Sequence, residues 1–185
     1  MISLHQKIIP THFDLIVIVW GEIGGQPKIK INFFSNERAS ATELADQIYP
    51  YAEIESCEQI DGIADKIVQF LNGEDIHFSL EIVDLDSIKL FQKKVLIAEH
   101  GIPRGWISTY RRLSNHIGNP KGARAVGNAL KNNPFPIIIP CHRVIKSDGS
   151  LGGFQGGMKM KRALLEMEGI EFSAEGRVTT KKFYY

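Results

Sequence analysis

Residues 108–144 read STYRRLSNHIGNPKGARAVGNALKNNPFPIIIPCHRV. Two short helical patterns stand in this stretch, each closed by breakers. Ser108 is placed to cap a helix over 109–117 that ends at Gly118-Asn119-Pro120, and a second helix runs from about Lys121 to Lys131 and stops at Asn132-Asn133-Pro134. Two short helices around a tight, Gly-containing turn predict a helix-turn-helix, an outline shared by many αα-hairpins that bind nothing. At ~100° per residue, Ala123, Val126, Gly127 and Leu130 form a packing stripe, while Lys121, Arg124, Asn128 and Lys131 gather on another. Gly122, Ala125 and Ala129 add little bulk around the polar stripe, which suits close approach to a nucleic-acid backbone. A solvated amphipathic helix carries the same pattern.

The stretch ends on a candidate nucleophile. In Ile139-Pro140-Cys141-His142-Arg143-Val144 an imidazole and a guanidinium directly follow a thiol, after the apolar run Phe135 to Ile139. A thiol of reference pKa ~8.5 is only slightly ionised at neutral pH, and neighbouring cations lower that value. His142, Arg143 and Lys146 are therefore expected to favour the Cys141 thiolate. Cys57, the other cysteine, stands among Glu53, Glu55, Glu58 and Asp61, where negative charge opposes ionisation. Neither cysteine has metal-ligand spacing to another and the six histidines are scattered, so no metal or cofactor is expected. Two such contrasting cysteines read as free thiols of a reducing compartment.

At 185 residues and 43% hydrophobic, with no apolar run approaching ~20 residues, the chain suits one large or two small soluble domains and no membrane span. Its start, MISLHQKIIPTHFD, lacks the pattern of an export signal, so a cytoplasmic location is expected. The net charge of +1 conceals an asymmetry. Residues 1–85 hold 5 basic and 14 acidic side chains, and residues 86–185 hold 17 basic and 7 acidic ones. The split predicts an acidic domain over 1–85 and a second domain over 86–185 shaped for a polyanion, unless the halves simply neutralise each other.

The first domain reads as α/β. Phe13 to Trp20 and Lys28 to Phe34 predict a hairpin, Ser40 caps a helix through Leu44, Ala45 and Ile48, and a further helix runs from Asp61 to Asn72. The alternation Phe78, Leu80, Ile82 predicts a half-buried strand, and no chemistry is visible in this half. The second domain reads as mainly helical. Ser87 is placed to cap a helix through Glu99 that buries Ile88, Phe91, Val95 and Ala98, and a last helix spans about Met158 to Glu168.

The residues ArgAlaValGly at 124–127, AsnPro at 133–134, ProCysHisArgVal at 140–144 and Glu168-Gly169 carry a resemblance. Over roughly Phe91 to Ile170 the chain resembles the O6-alkylguanine-DNA alkyltransferases, which move an alkyl group from guanine onto a cysteine. The resemblance implies a ribonuclease-H-like first domain of structural role and a second domain with a winged-helix-like helix-turn-helix. It implies stoichiometric, irreversible transfer to Cys141, leaving open whether O4-alkylthymine is a second lesion. His142 then serves as base through a bridging water, with Glu168 stabilising the imidazolium. The charge argument agrees: a carboxylate at a helix C-terminus is disfavoured by ~0.3–1 kcal/mol unless a cation faces it, and His142 is the expected cation.

By the same resemblance Tyr110 donates to the departing base and Arg124 fills the gap left when the nucleotide is rotated out, a step that costs a few kcal/mol of stacking and pairing. Asn133 belongs to the hinge before the active-site strand, and the Val144 carbonyl reads the guanine amino group. Pro136 and residues 152–157 line the pocket. Lys121, Ala123, Asn128 and Lys131 meet DNA beside Arg124. Phe154 stands where the family usually has tyrosine, and Gln155 where serine or arginine is common. Gly156 leaves the pocket wall without a side chain, which predicts acceptance of groups as large as benzyl. The expected partner is double-stranded DNA carrying O6-alkylguanine, met through the minor groove by a monomer. Two other functions fit parts of the chain. A relative that binds lesions without transfer lacks the cysteine, and a thiol hydrolase using Cys, His and Glu leaves the Arg124 helix unexplained.

Overall fold

The computed structural model describes residues 3–36 and 38–185. The chain divides into two compact units, 1–85 and 86–185. Among the described residues, no helix is long and apolar enough to cross a membrane.

The first unit is built on a four-stranded sheet in the order β3-β2-β1-β4. Strands β1 (Leu4–Thr11), β2 (Asp14–Ile23) and β3 (Gln26–Phe34) form an antiparallel meander, and the short β4 (Glu53–Ile54) lies parallel to β1. The two-residue turn between β2 and β3 needs positive φ at both positions, and Gly24 (φ 61°) and Gly25 (φ 75°) supply it. Strand β2 is buried continuously from Ile16 to Gly21, the signature of a strand covered on both faces. Its Val17 and Val19 pack with Phe33 against Ala41 and Ala45 of α1 (Ala41–Ile48). That helix starts on a capping box in which Ser40 and Glu43 satisfy each other's backbone N–H. Trp20, also buried, donates from Nε1 to the Glu55 carbonyl at 3.2 Å.

Helix α2 spans Glu58–Leu71, starting three residues earlier than expected, and buries Ile60, Ala64, Ile67, Phe70 and Leu71. The segment 77–82 is not a strand. Ser79 accepts from the Glu81 amide at 3.2 Å and nucleates a 3-10 turn over Leu80–Ile82, so a local side-chain bond takes the backbone out of the sheet. Only Val83 keeps a bridge, to Ile29.

The second unit contains α3 (Leu90–His100), β5 (Ser108–Thr109), α4 (Tyr110–His116), α5 (Ala123–Lys131), β6 (Val144–Ile145) and α6 (Gly157–Met167). Ser87 does not cap α3; it closes a separate 3-10 turn. With the later start, α3 buries Val95, Leu96, Ala98 and Glu99, and leaves Phe91 exposed. Ser108 is likewise not a cap, because it pairs with Val144 in the parallel ladder of β5 with β6. Thr109 takes the capping role, its Oγ1 accepting from the Arg112 amide at 3.2 Å.

Helices α4 and α5 form the helix-turn-helix, and α5 packs against both α4 and α3. This wider contact buries Ala129, which the polar stripe had been expected to carry. Gln92 of α3 donates to the carbonyls of Ala129 (3.1 Å) and Asn132 (2.7 Å), satisfying part of the C-terminal end of α5. Residues 182–185 strap this unit. Lys182 and Tyr184 bracket Ile107 by backbone bonds, Tyr185 stacks on His116 at 3.6 Å, and Trp106, 40% exposed, lies edge-on to Tyr184.

Candidate active site

The site assembles where β6, the turn before it and α6 meet. Cys141, His142 and Arg143 form a 3-10 turn entering β6, and all three are buried. The approach is held in an unusual shape: Ile137 has φ 73°, a strained value for a β-branched residue. Asn133 braces it at both ends, accepting from the Phe135 amide (2.9 Å) and donating to the Ile139 carbonyl (3.1 Å). Pro136 is buried in the same turn and bridges to Ile139.

His142 and Glu168 meet, with Nε2 2.9 Å from Oε1 and both side chains inaccessible. Arg143 also reaches this carboxylate, and through more contacts. Its Nε lies 2.9 Å from Oε2 and its NH2 2.8 Å from Oε1, while NH1 donates to the Ile102 carbonyl at 2.7 Å. Burial alone would raise the Glu168 carboxyl, but the charges and hydrogen bonds of His142 and Arg143 outweigh it and hold it down to about 2. An ionised Glu168 only accepts, so Nε2 must carry the imidazole proton and Nδ1 is the basic nitrogen. Burial pushes His142 below its ordinary value, against the pull of Glu168. The resting pair is therefore a neutral imidazole donating to a carboxylate.

The resting thiol differs from the expectation. Cys141 is 6% exposed, and burial pushes it up to about 12, with the Glu99 charge adding to the shift. Arg143 cannot lower it because its charge is spent on Glu168, and Lys146 is exposed. The Asn133 side chain and Lys161 pull the other way, without overcoming burial.

The remaining predicted residues fall into two groups. Tyr110, Val144, Phe154, Gln155 and Gly156 surround the turn. Phe154 stands edge-on to His142 at 6.3 Å, and Gln155 donates to the Asn133 carbonyl at 2.6 Å, tying the glycine-rich loop to the brace. Tyr110 is half-buried, and burial raises its phenol to about 12. A side chain at Gly152 (φ 74°) would come within 2.5 Å of the Tyr110 hydroxyl, so this loop passes the phenol only as glycine. The wall beside Gly156 is not vacant: a Cβ there would lie 2.3 Å from the sulfur of Met160, whose side chain fills the space. Arg124, Asn128 and Lys131 of α5, with Lys121 just before it, form a second, exposed group, and Ala123 is half-buried beside them.

Residues 90–170 match the family described as 6-O-methylguanine DNA methyltransferase, DNA binding domain. A methylated-DNA–protein-cysteine methyltransferase of Methanothermobacter thermautotrophicus is 37% identical over 163 residues, 88% of this chain and 82% of that protein. The chain belongs to the methylated-DNA–protein-cysteine methyltransferase family. Solved methyltransferases agree in fold. The Mycobacterium tuberculosis O6-methylguanine methyltransferase superposes with a TM-score of 0.72 at 30% identity, over 90% of this chain and 93% of that one. The M. tuberculosis OGT in complex with DNA gives 0.69 at 30% identity, over 89% and 93%.

The second unit also buries two ionisable side chains that the pattern reading passed over. Lys161 of α6 is 0% exposed and directs Nζ at the carbonyls of Val144 (2.7 Å), Gly153 (3.4 Å) and Cys141 (3.5 Å). Glu99 of α3 is also 0% exposed. The signal was present in the sequence: Lys161 lies seven residues before Glu168 on the apolar stripe of Leu164 and Leu165, and Glu99 follows Val95 and Leu96 at helical spacing.

Proposed function

We propose that this chain repairs duplex DNA by moving an alkyl group from O6 of guanine onto Cys141, once per molecule. The buried line from Cys141 through His142 to an ionised Glu168 carries the reading, because it supplies a soft nucleophile, a base on Nδ1 and a fixed charge for the imidazolium.

With the thiol at about 12, only about one molecule in 10⁵ is ionised at pH 7, so ionisation has to be coupled to the reaction. His142 Nδ1 accepts the thiol proton through one water, the sulfur attacks the alkyl carbon, and the O6–carbon bond breaks with its electron pair passing to guanine. Tyr110 supplies a hydrogen bond or proton to the departing base. The product is a thioether, which lacks the activated carbonyl that lets a thioester turn over, so the protein is consumed. The Val144 carbonyl reads the guanine amino group while its other lone pair holds Lys161, and the Phe154 ring stacks on the base.

DNA is met by the exposed face of α5 through the minor groove, with Arg124 entering the stack and Lys121, Asn128 and Lys131 on the backbone; Ala123 permits the close approach. The first unit, a three-stranded meander with a parallel fourth strand, fits a ribonuclease-H-like domain of structural role. Intact mass spectrometry after exposure to O6-methylguanine duplex tests the assignment. One methyl group per protein on Cys141, absent from Cys141→Ser, is expected; an unmodified folded protein rejects it.

A further inference from the structure

Glu99 is a buried acid that the transfer mechanism does not use. Neither of its oxygens has a hydrogen-bond partner among the described residues. An ionised carboxylate left unpaired away from water is strongly disfavoured, so a group in this position is retained un-ionised or in the field of a cation. Two cations reach it electrostatically, Arg143 and Lys161. Arg143 is already neutralised by its bidentate pairing with Glu168. Lys161 makes no ion pair among the described residues; its donors point at three carbonyls, and its charge interacts with both Glu99 and Cys141. The site therefore holds two acids, the Glu99 carboxyl and the Cys141 thiol, and one uncommitted buried ammonium.

We propose that Glu99 and Cys141 compete for the charge of Lys161, so that Glu99 is a positioning residue whose ionisation suppresses the Cys141 thiolate. While Glu99 keeps its proton, Lys161 stabilises the thiolate that forms when His142 takes the sulfur proton. When Glu99 loses its proton to solvent, its O–H bond breaks, the anion claims Lys161, and a second anion on sulfur is opposed. Burial pushes the Glu99 carboxyl up to about 8 and Lys161 down to about 8, which puts the exchange just above neutral pH. Of the other titratable groups around α3, Tyr110 on α4 is raised to about 12, Tyr185 donates its hydroxyl proton to the Ala98 carbonyl, and His116 stacks on Tyr185. On α3 itself Lys93 pairs with Asp86, Lys94 is exposed and His100 is half-buried, while Arg124 and Lys131 on α5 and Lys121 before it face solvent.

This inference rests on Cys141 being the nucleophile, but its test does not need DNA. The rate at which iodoacetamide labels Cys141 is followed from pH 6 to 10 by peptide mass spectrometry, which separates it from Cys57, in the parent protein and in Glu99→Gln and Glu99→Leu. The variant-to-parent ratio is expected to rise from near one at pH 6.5 to about twofold at pH 8, where Glu99 is about half ionised and Lys161 still carries part of its charge. Single-turnover methyl transfer should follow the same profile. A ratio that stays flat in either folded variant overturns the proposal. In the unmutated protein, carbon NMR of the Glu99 carboxyl should give a midpoint near 8, and an ordinary carboxyl midpoint also overturns it. If labelling behaves as expected while O6-methylguanine duplex leaves the protein unmodified, the repair assignment fails and the coupling stands.

Discussion

Two glutamates at the C-terminal ends of two helices, Glu99 on α3 and Glu168 after α6, are both removed from water, yet they are driven in opposite directions. Glu168 is held down to about 2 and Glu99 is pushed up to about 8. Burial acts alike on both, so the difference lies in their partners. Glu168 receives a guanidinium fork and an imidazole N–H at hydrogen-bond distance, whereas Glu99 receives only the more distant fields of Lys161 and Arg143. A cation stabilises a buried carboxylate strongly only when it also supplies the hydrogen bonds.

Glu168→Gln should break the contrast most severely. It leaves Arg143 buried and unpaired and removes the charge that balances an imidazolium. We expect stability to fall by about 3–5 kcal/mol in denaturant melts and methyl transfer to slow by at least ~100-fold. The parent's acid response follows from the same group. A folded-state value depressed from 4.5 to about 2 gives stability that is complete above pH 4.5 and is lost as pH falls toward 2; the amount is about 3 kcal/mol, and melts taken across that window should show it.

Glu99→Leu should act with the opposite sign. A folded-state value raised from 4.5 to about 8 costs stability progressively as pH rises through that interval, because the unfolded chain releases the proton first. The variant should gain on the order of 3 kcal/mol at pH 8, with the gain vanishing below pH 4.5. No gain at pH 8 would show that Lys161 already compensates the ionised acid in full.

Arg143→Lys sharpens the role of geometry, since it keeps the charge and loses the fork. A loss of about 1–3 kcal/mol with an upward drift of the Glu168 midpoint is expected; unchanged melts would mean that charge alone holds Glu168. Arg124→Ala lies outside both pairs. It should slow transfer from duplex DNA by roughly tenfold while leaving iodoacetamide labelling of Cys141 as in the parent, and a change in labelling would connect α5 to the buried charges. Smallest is Met160→Ala, which opens the space beside Gly156 and should raise benzyl transfer from O6-benzylguanine about threefold relative to methyl.

The breakers around 108–134 placed helices α4 and α5 to within two residues, and the contiguous motif 140–144 pointed to the nucleophile and base proposed above. Legibility failed where a residue's neighbour in space was not its neighbour in sequence. Arg143 reads as a cation for Cys141 but turns toward Glu168, twenty-five residues away. Cys141 reads as ionised, because charge is visible in sequence and desolvation is not. Strand β1 hid behind Gln6, Lys7 and Pro10, yet its pairing with both β2 and β4 makes it interior. The alternation 78–82 looked extended until Ser79 captured a backbone amide.

The chain has two tryptophans, one in each compact unit: Trp20 is sealed in the sheet and Trp106 is open to solvent beside Tyr184. The molecule thus contains its own pair of optical reporters. Iodide should quench the fluorescence of Trp106 and spare Trp20, so emission recorded with and without the quencher during denaturation would show whether the acidic and basic halves melt together or in sequence.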